Sequence, residues 1–275
     1  MTPTVLVTNA GQRKSIPIIR SLGRHGLKVV AGEDRRVAMG FFSKYCVRRC
    51  VYPSPEKTPE AFIDWLLAAA KAGEFDVLFP IDDATMLPVT RYLSELRRYC
   101  RVPVVDAERF VRASDKSATL RLAQAMGIPI PKTWFVESLD QLHELLPDLM
   151  PPLVIKPRVS RGSRGLAYVT ENQSLESAYL QVHAQYPWPV IQERIPQEGE
   201  GIGVELLLDE QQNVLASFAH RRLREYPIKG GPSTLRESIL DADLTARAIQ
   251  LLQAMGWCGV AMVEFKRDPR DGECK

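Results

Sequence analysis

The chain has 275 residues, 45% hydrophobic and 25% charged, the composition of an ordinary globular protein of two or three structural units. A formal net charge of +3, from 36 basic and 33 acidic residues, gives no bulk-charge argument for nucleic acid or a membrane surface, and no apolar stretch approaches the ~18 residues of a bilayer span. The five cysteines are odd in number and scattered, with Cys46 and Cys50 the closest pair and no partner set for zinc, so they read as reduced structural thiols of a cytoplasmic protein.

Thr4 to Thr8 is short, β-branched and bounded by Asn9-Ala10-Gly11, the pattern of a buried parallel strand, entered without the segments of a signal peptide. A helix is expected from about Ile16, with Pro17 in its first turn and Gly26 past its end, and then a strand at Lys28–Gly32. Alternation continues with a strand at Val47–Tyr52, a helix at Thr58–Ala72, a strand at Val77–Ile81, a helix at Thr85–Arg97 and a strand at Val102–Val105. This order predicts a parallel, doubly wound sheet over residues 1 to about 107.

Glu33 ends the second strand, where an acid could hold a ribose, but the loop Asn9–Ser15 has one glycine where a dinucleotide fingerprint needs three. Its backbone cannot approach a pyrophosphate closely, so a scaffold forming an edge of an active site is the better reading, ahead of an NAD-dependent oxidoreductase. Asp82-Asp83 follows a strand end, either as a ligand position or as a charge pair at a helix N-terminus.

Ser114-Asp115-Lys116 opens a helix with Ala118, Leu122, Ala125 and Met126 on one face and Gly127 closing it. A strand at Lys132–Val136, a helix at Leu139–Leu146 and a strand at Leu153–Pro157 follow; in the last, Lys156 interrupts an apolar run, where a buried ammonium would need a negative partner. The loop Arg158–Gly165 combines two glycines, two serines and three arginines, offering N–H groups, hydroxyls and positive charge to phosphate oxygens. It returns into a strand at Leu166–Val169 instead of a helix, so it is not a P-loop. Val190–Pro196 is a strand ending in a turn, and Gln197–Gly201 leads into a strand at Val204–Asp209.

A Ser-Asp-Lys helix, a strand ending Ile-Lys-Pro, a Gly/Ser/Arg loop, an Ile-Gln-Glu-Arg-Ile strand and a Glu-Gly-Glu-Gly turn, in that order, resemble the ATP-grasp superfamily, particularly its carbamoyl-phosphate-synthase-like branch. The resemblance implies a pre-ATP-grasp domain over 1–107, a small or lid part over 108–188 and a large part over 189–275, the whole an α/β chain whose two-part α+β ATP-grasp domain is incomplete at its C-terminus. Lys116 and Lys156 match two lysines used on ATP phosphates, and the loop with Ser160, Gly162, Ser163, Arg164 and Gly165 matches one that closes over them. Glu193 and Ile195 match a linker whose backbone reads adenine, and Glu200 is the choice for the ribose hydroxyls, with Glu198 competing and a solvated acidic turn as the bland alternative.

Phe218–Pro227 is the most basic stretch, and Arg221, Arg222 and Arg224 with the loop Gly230–Thr234 could clamp a carboxylate and offer N–H donors to an acyl phosphate, with Arg222 and Arg224 in the catalytic role. A solvated basic strand is the plain alternative, and His220 reads as packed on the sheet. Asp241 starts a helix through Leu244, Ala248, Leu251, Leu252 and Met255 to Gly256. In the strand Gly259–Lys266, Glu264 alternates away from its apolar neighbours and matches the superfamily's first magnesium glutamate. The superfamily's second contribution comes from a strand reading Glu-x-Asn-Pro-Arg; here Asp268–Gly272 reads as a hairpin turn with three residues after it, so a fragment of a longer protein is expected, ahead of a chain that has lost the last part of the fold.

The implied activity is ATP-dependent, with Mg2+ or alternatively Mn2+: a carboxylate becomes an acyl phosphate that an amine or ammonia attacks. The partners are ATP, a small carboxylate and an amine or ammonia, with no nucleic acid or membrane, and an oligomer is compatible with the sequence. The alternative is a non-catalytic ATP-binding module.

Overall fold

In the computed structural model, which describes residues 2–160, 164–171, 174–226, 231 and 233–275, the chain divides into two units, Met1–Phe110 and Val111–Lys275. The first opens with β1 (Thr4–Val7), α1 (Ser15–Arg24), β2 (Lys28–Glu33), β3 (Cys46–Val51), α2 (Pro59–Lys71) and β4 (Val77–Phe79). These strands form a parallel sheet in the order β3-β2-β1-β4. Successive side chains point to opposite faces, which is why the central runs are apolar throughout. Val5, Val7, Val29 and Ala31 pack with Ile19 of α1, whereas Leu6, Val30 and Leu78 pack with Phe62 and Leu66 of α2.

Two elements of this unit differ from expectation. The helix predicted at Thr85–Arg97 is two pieces, α3 (Asp83–Arg91) and α4 (Leu93–Leu96), parted at Tyr92, whose φ of −107° and ψ of 20° leave the helical region. The strand predicted at Val102–Val105 does not form; a single parallel bridge, Val77 to Arg101, stands in its place. Pro103 has no N–H for a ladder, and Val104 N–H turns back to Val102 C=O at 2.9 Å. α5 (Ala107–Ser114) closes this part of the chain and was not signalled by the sequence reading.

The second unit continues with α6 (Lys116–Ala125), β5 (Thr133–Phe135), α7 (Leu139–Leu145), β6 (Leu153–Lys156), β7 (Ala167–Val169), α8 (Leu175–Gln185) and β8 (Val190–Glu193). The four strands make an antiparallel sheet in the order β5-β8-β6-β7, and Leu142, Leu175, Tyr179 and Val182 of the helices pack on Leu153, Ile155, Val169 and Ile191. A second antiparallel sheet, in the order β11-β10-β9-β12, is built from β9 (Gly201–Leu208), β10 (Val214–Glu225), β11 (Ser233–Ile239) and β12 (Gly259–Lys266), with α9 (Ala242–Ala254) before the last strand.

α6 buries Ser117 and Ala123 and leaves Ala125 and Met126 exposed, so its inward stripe is rotated from the expected one. Ala123 and Ile128 instead meet Leu251 and Met255 at the end of α9. After β12 the chain turns at Asp268–Gly272 as predicted, with Gly272 at φ +76°, and Arg267 pairs back with Cys274. Among the described residues no helix is long and apolar enough to cross a membrane.

Candidate functional site

The second unit holds a cleft of about 1560 Å³ lined from both of its sheets. On the side of the β5-β8-β6-β7 sheet, Lys156 ends β6 two positions along from the cross-strand level of Gln192 on β8, so both side chains share a face. Its ammonium donates to Gln192 Oε1 at 2.5 Å, and Gln192 Nε2 donates onward to Thr133 Oγ1 at 2.8 Å. The predicted negative partner is thus replaced by a neutral amide oxygen. Burial pushes the Lys156 pKa down to about 8, helped by the nearby charges of Lys116 and Lys266.

Asp115 caps α6 by accepting from Ser117 and Ala118 N–H at 2.8 and 3.4 Å, and Arg158 from the loop after β6 grips the same carboxylate through Nε and Nη2. That grip, with Lys116 N–H donating to Arg158 C=O at 2.9 Å, brings the first turn of α6 to the loop. Lys116 Nζ then lies 3.2 Å from both the Ser160 hydroxyl and its C=O. Burial lowers the Lys116 pKa against the opposing pull of Asp115.

On the side of the β11-β10-β9-β12 sheet, Glu264 stands half exposed on β12 and meets the guanidinium of Arg222 from β10, whose Nη1 is also 3.5 Å from Glu225. Among the described residues, the buried Arg222 Nε finds no hydrogen-bond partner. Strand alternation sends Arg221 the other way, to Glu237 at 2.6 Å and Glu200 at 3.2 Å, so a three-arginine clamp does not form. Arg222 and Arg224, two residues apart on β10, both line the cleft, and the ladder to β11 shifts register between them.

Lys156, Glu193, Ile195, Glu200, Arg222, Arg224 and Glu264 therefore come together around one cleft. Lys116, Ser160, Arg164 and Gly165 are outside its lining, although the first two reach each other, and Gly162 and Ser163 lie outside the described residues. Gly165 has φ +74°, and a Cβ there would come within 2.5 Å of the Tyr186 ring. The Glu193 side chain accepts from Lys132 N–H at 2.9 Å and from Arg270 Nη2 at 2.7 Å, while Glu200 meets Arg221 and Arg267.

Several alternatives resolve to their plainer readings. His220 is buried against Glu205 at 3.0 Å. Asp82 caps α3 through Ala84 N–H at 3.3 Å and pairs with Lys14 at 2.9 Å. Glu33 accepts from Gly11 and Asp34 N–H at 2.6 and 3.0 Å.

Sequence reasoning missed Lys266, Gln192 and Glu225. Lys266 stands two residues after Glu264 and so faces the same side of β12, a period-two signal that could have found it. Burial lowers its pKa as well. Magnesium takes oxygen ligands, and Glu264 and Glu225 converge on a single cationic group, so the donor set suits a divalent cation shared with phosphate oxygens. No group of three or more metal-ligating side chains is assembled among the described residues.

No protein-family profile matches the chain. It is 23% identical over 280 residues to the carbamoyl phosphate synthase large chain, C-terminal section, of Methanopyrus kandleri, covering 89% of this chain and 51% of that protein. It is 24% identical over 249 residues to D-aspartate ligase of Enterococcus faecium, covering 82% and 58%. In structure it is similar to biotin carboxylase of Campylobacter jejuni in a β,γ-ATP complex, with a TM-score of 0.78, 18% identity, and 100% of this chain and 64% of that one covered. The chain thus spans about half the length of these curated relatives. The resemblance to ATP-grasp enzymes holds, and the mixed α/β fold is theirs.

Proposed function

We propose that this chain carries the nucleotide cradle of an ATP- and Mg2+-dependent ligase that activates a carboxylate as an acyl phosphate for attack by an amine or ammonia. The observation that supports it best is the meeting of two charged walls in one cleft. Lys156 rests on a neutral amide with Lys266 nearby, while Glu264 and Glu225 turn to one cationic group. A triphosphate needs the first wall, and its metal counter-ion needs the second.

In this reading the linker backbone from Glu193 to Ile195 holds adenine, and Glu200 or Glu198 takes the ribose hydroxyls. Lys156, Lys116 and the loop from Ser160 to Gly165 neutralise phosphate oxygens. An oxygen of the acceptor carboxylate attacks the γ-phosphorus, the bond to the β–γ bridging oxygen breaks, and ADP leaves. An amine nitrogen then attacks the acyl carbon, the bond from that carbon to the phosphate oxygen breaks, inorganic phosphate departs, and the nitrogen gives up a proton that phosphate or water takes. Because the carboxylate is already an anion near neutral pH, the first step needs no general base. Arg222 and Arg224 hold the carboxylate and the developing charge. Bound Mg2+, or Mn2+ in its place, would draw charge from the phosphate oxygens beside Glu264 and Glu225.

One observation favours a second reading, a binding module without turnover: Arg222 already neutralises Glu264. ATP binding with and without Mg2+, and ADP release across a panel of carboxylates and amines, separate the two. Mg2+-dependent binding with release stimulated by one carboxylate–amine pair supports the ligase. Mg2+-independent binding with no stimulated release supports the module.

A further inference from the structure

The segment joining β8 to β9 is held at both ends by the hairpin that follows β12. At its start, Glu193 Oε2 accepts from Arg270 Nη2 at 2.7 Å while Oε1 accepts from Lys132 N–H at 2.9 Å. At its other end, Glu200 C=O accepts from Arg267 N–H at 2.9 Å, and the Glu200 carboxylate lies 3.5 Å from Arg267 Nε. Between them Gly199 passes so close that a Cβ would lie 2.3 Å from the Arg267 carbonyl oxygen.

Arg270 is itself fixed from behind. Asp268, 0% exposed, accepts from Arg270 N–H at 3.0 Å, from its Nε at 2.8 Å and from Nη2, and also from Lys275 Nζ at 2.8 Å. A guanidinium gripped on one edge by an enclosed carboxylate has a set plane, and its remaining reach is directed at Glu193. Arg270 is outside the lining of the cleft, so any influence on a ligand there passes through the linker.

We propose that Arg270 is a positioning residue for nucleotide recognition: held by Asp268, it fixes the Glu193 end of the linker while Arg267 fixes the Glu200 end. This sets the linker backbone against the strand that carries Glu264 and Lys266. The inference rests on the reading of that linker as the adenine and ribose site. Backbone donors and acceptors discriminate between bases only when their spacing is held, so loosening the clamp weakens binding and blurs the choice of base.

The test measures binding of non-hydrolysable ATP and GTP analogues to the full chain by calorimetry. Arg270→Leu is expected to bind the ATP analogue about tenfold more weakly, with a lower ATP-to-GTP affinity ratio, and Arg270→Lys to recover part of both. Glu193→Gln, which removes the charge that Arg270 meets, is expected to show the same fall and serves if Arg270→Leu does not fold. Unchanged affinity and ratio in a folded variant overturn the proposal, as does lowered thermal stability with an unchanged ratio. A wild-type chain that binds neither analogue overturns the nucleotide reading instead.

Discussion

The guanidinium of Arg222 on β10 lies on the carboxylate of Glu264 on β12, across the intervening strand β9. The bridge is possible because β9 has small residues beneath it. A Cβ at Gly201 would lie 3.1 Å from Arg222 Cδ, and Gly203 stands directly opposite Glu264 in the ladder. Two residues read separately from the sequence, one for the acceptor and one for the metal, are therefore partners in this state. A divalent cation and Arg222 then compete for one carboxylate, and arrival of the metal would free the guanidinium.

Arg222→Met is expected to raise the affinity for Mn2+ without nucleotide, because the competing cation is gone. Glu264 is half exposed, so the gain is about two- to fivefold, in line with a partly solvated pair. Electron paramagnetic resonance of free Mn2+ reads it directly. Weaker Mn2+ binding than wild type would mean that Arg222 supports the site instead of competing for it.

Lys156 makes nucleotide binding pH-dependent. Its pKa of about 8 in the folded chain lies below the ordinary lysine value of 10.5, so raising pH through 8 removes a charge from the cleft. ATP affinity should fall over that range, with proton uptake on binding at pH 8 to 9, and Lys156→Met should bind weakly with a flatter profile. The same shift sets a stability trend. Between about 8 and 10.5 the unfolded lysine binds a proton that the folded one does not, so this group's contribution to stability rises with pH there. Titration of ATP binding and of the unfolding midpoint, in both proteins, checks both signs.

Asp115 joins the cap of α6 to the loop through Arg158. Burial would raise its pKa, but the Arg158 hydrogen bond and charge and the Ser117 and Ala118 N–H groups outweigh burial and lower it. A depressed carboxylate stabilises above its unfolded pKa, and that contribution fades as pH falls through the folded value. Asp115→Ala should cost about 1–2 kcal/mol, the worth of a lost N-cap, and the cost should shrink at acid pH. Chemical denaturation at pH 7 and pH 3 tests it.

Gly165 combines a positive φ with a ring against its Cα, so Gly165→Ala meets backbone strain and the Tyr186 side chain together. A destabilisation of about 1–3 kcal/mol is expected. Tyr186→Ala in the same background should recover the ring's share of the steric cost, but neither the contact with Pro157 Cγ at 2.8 Å nor the conformational part. Denaturation of the single and double variants separates them.

Much of the fold was legible because its signals are local. Pro59 and Lys71 bound α2, Asp241 and Gly256 bracket α9, and the Asp-Gly pair at 271–272 marks the turn after β12. α8 and β11 escaped: α8 has only a thin stripe of Leu175, Tyr179 and Val182, and β11 is largely exposed and carries no alternation. Val102–Val105 misled because its apolar content suited a strand while Pro103 denied it a ladder.

By itself the sequence determined that a lysine would end β6 beside a Gly/Ser/Arg loop and that Glu264 would sit on a strand opposite in direction to its apolar neighbours. Both follow from residue order and the two-residue period of a strand. Only the tertiary structure decided that Lys156 rests on Gln192 and not on an acid, that Lys266 adds to the same field, and that Arg222 covers Glu264. The reach of Arg270 to Glu193, 77 positions apart, is of the same kind. Such pairings depend on which strands become neighbours and in what register, which no local run of residues encodes.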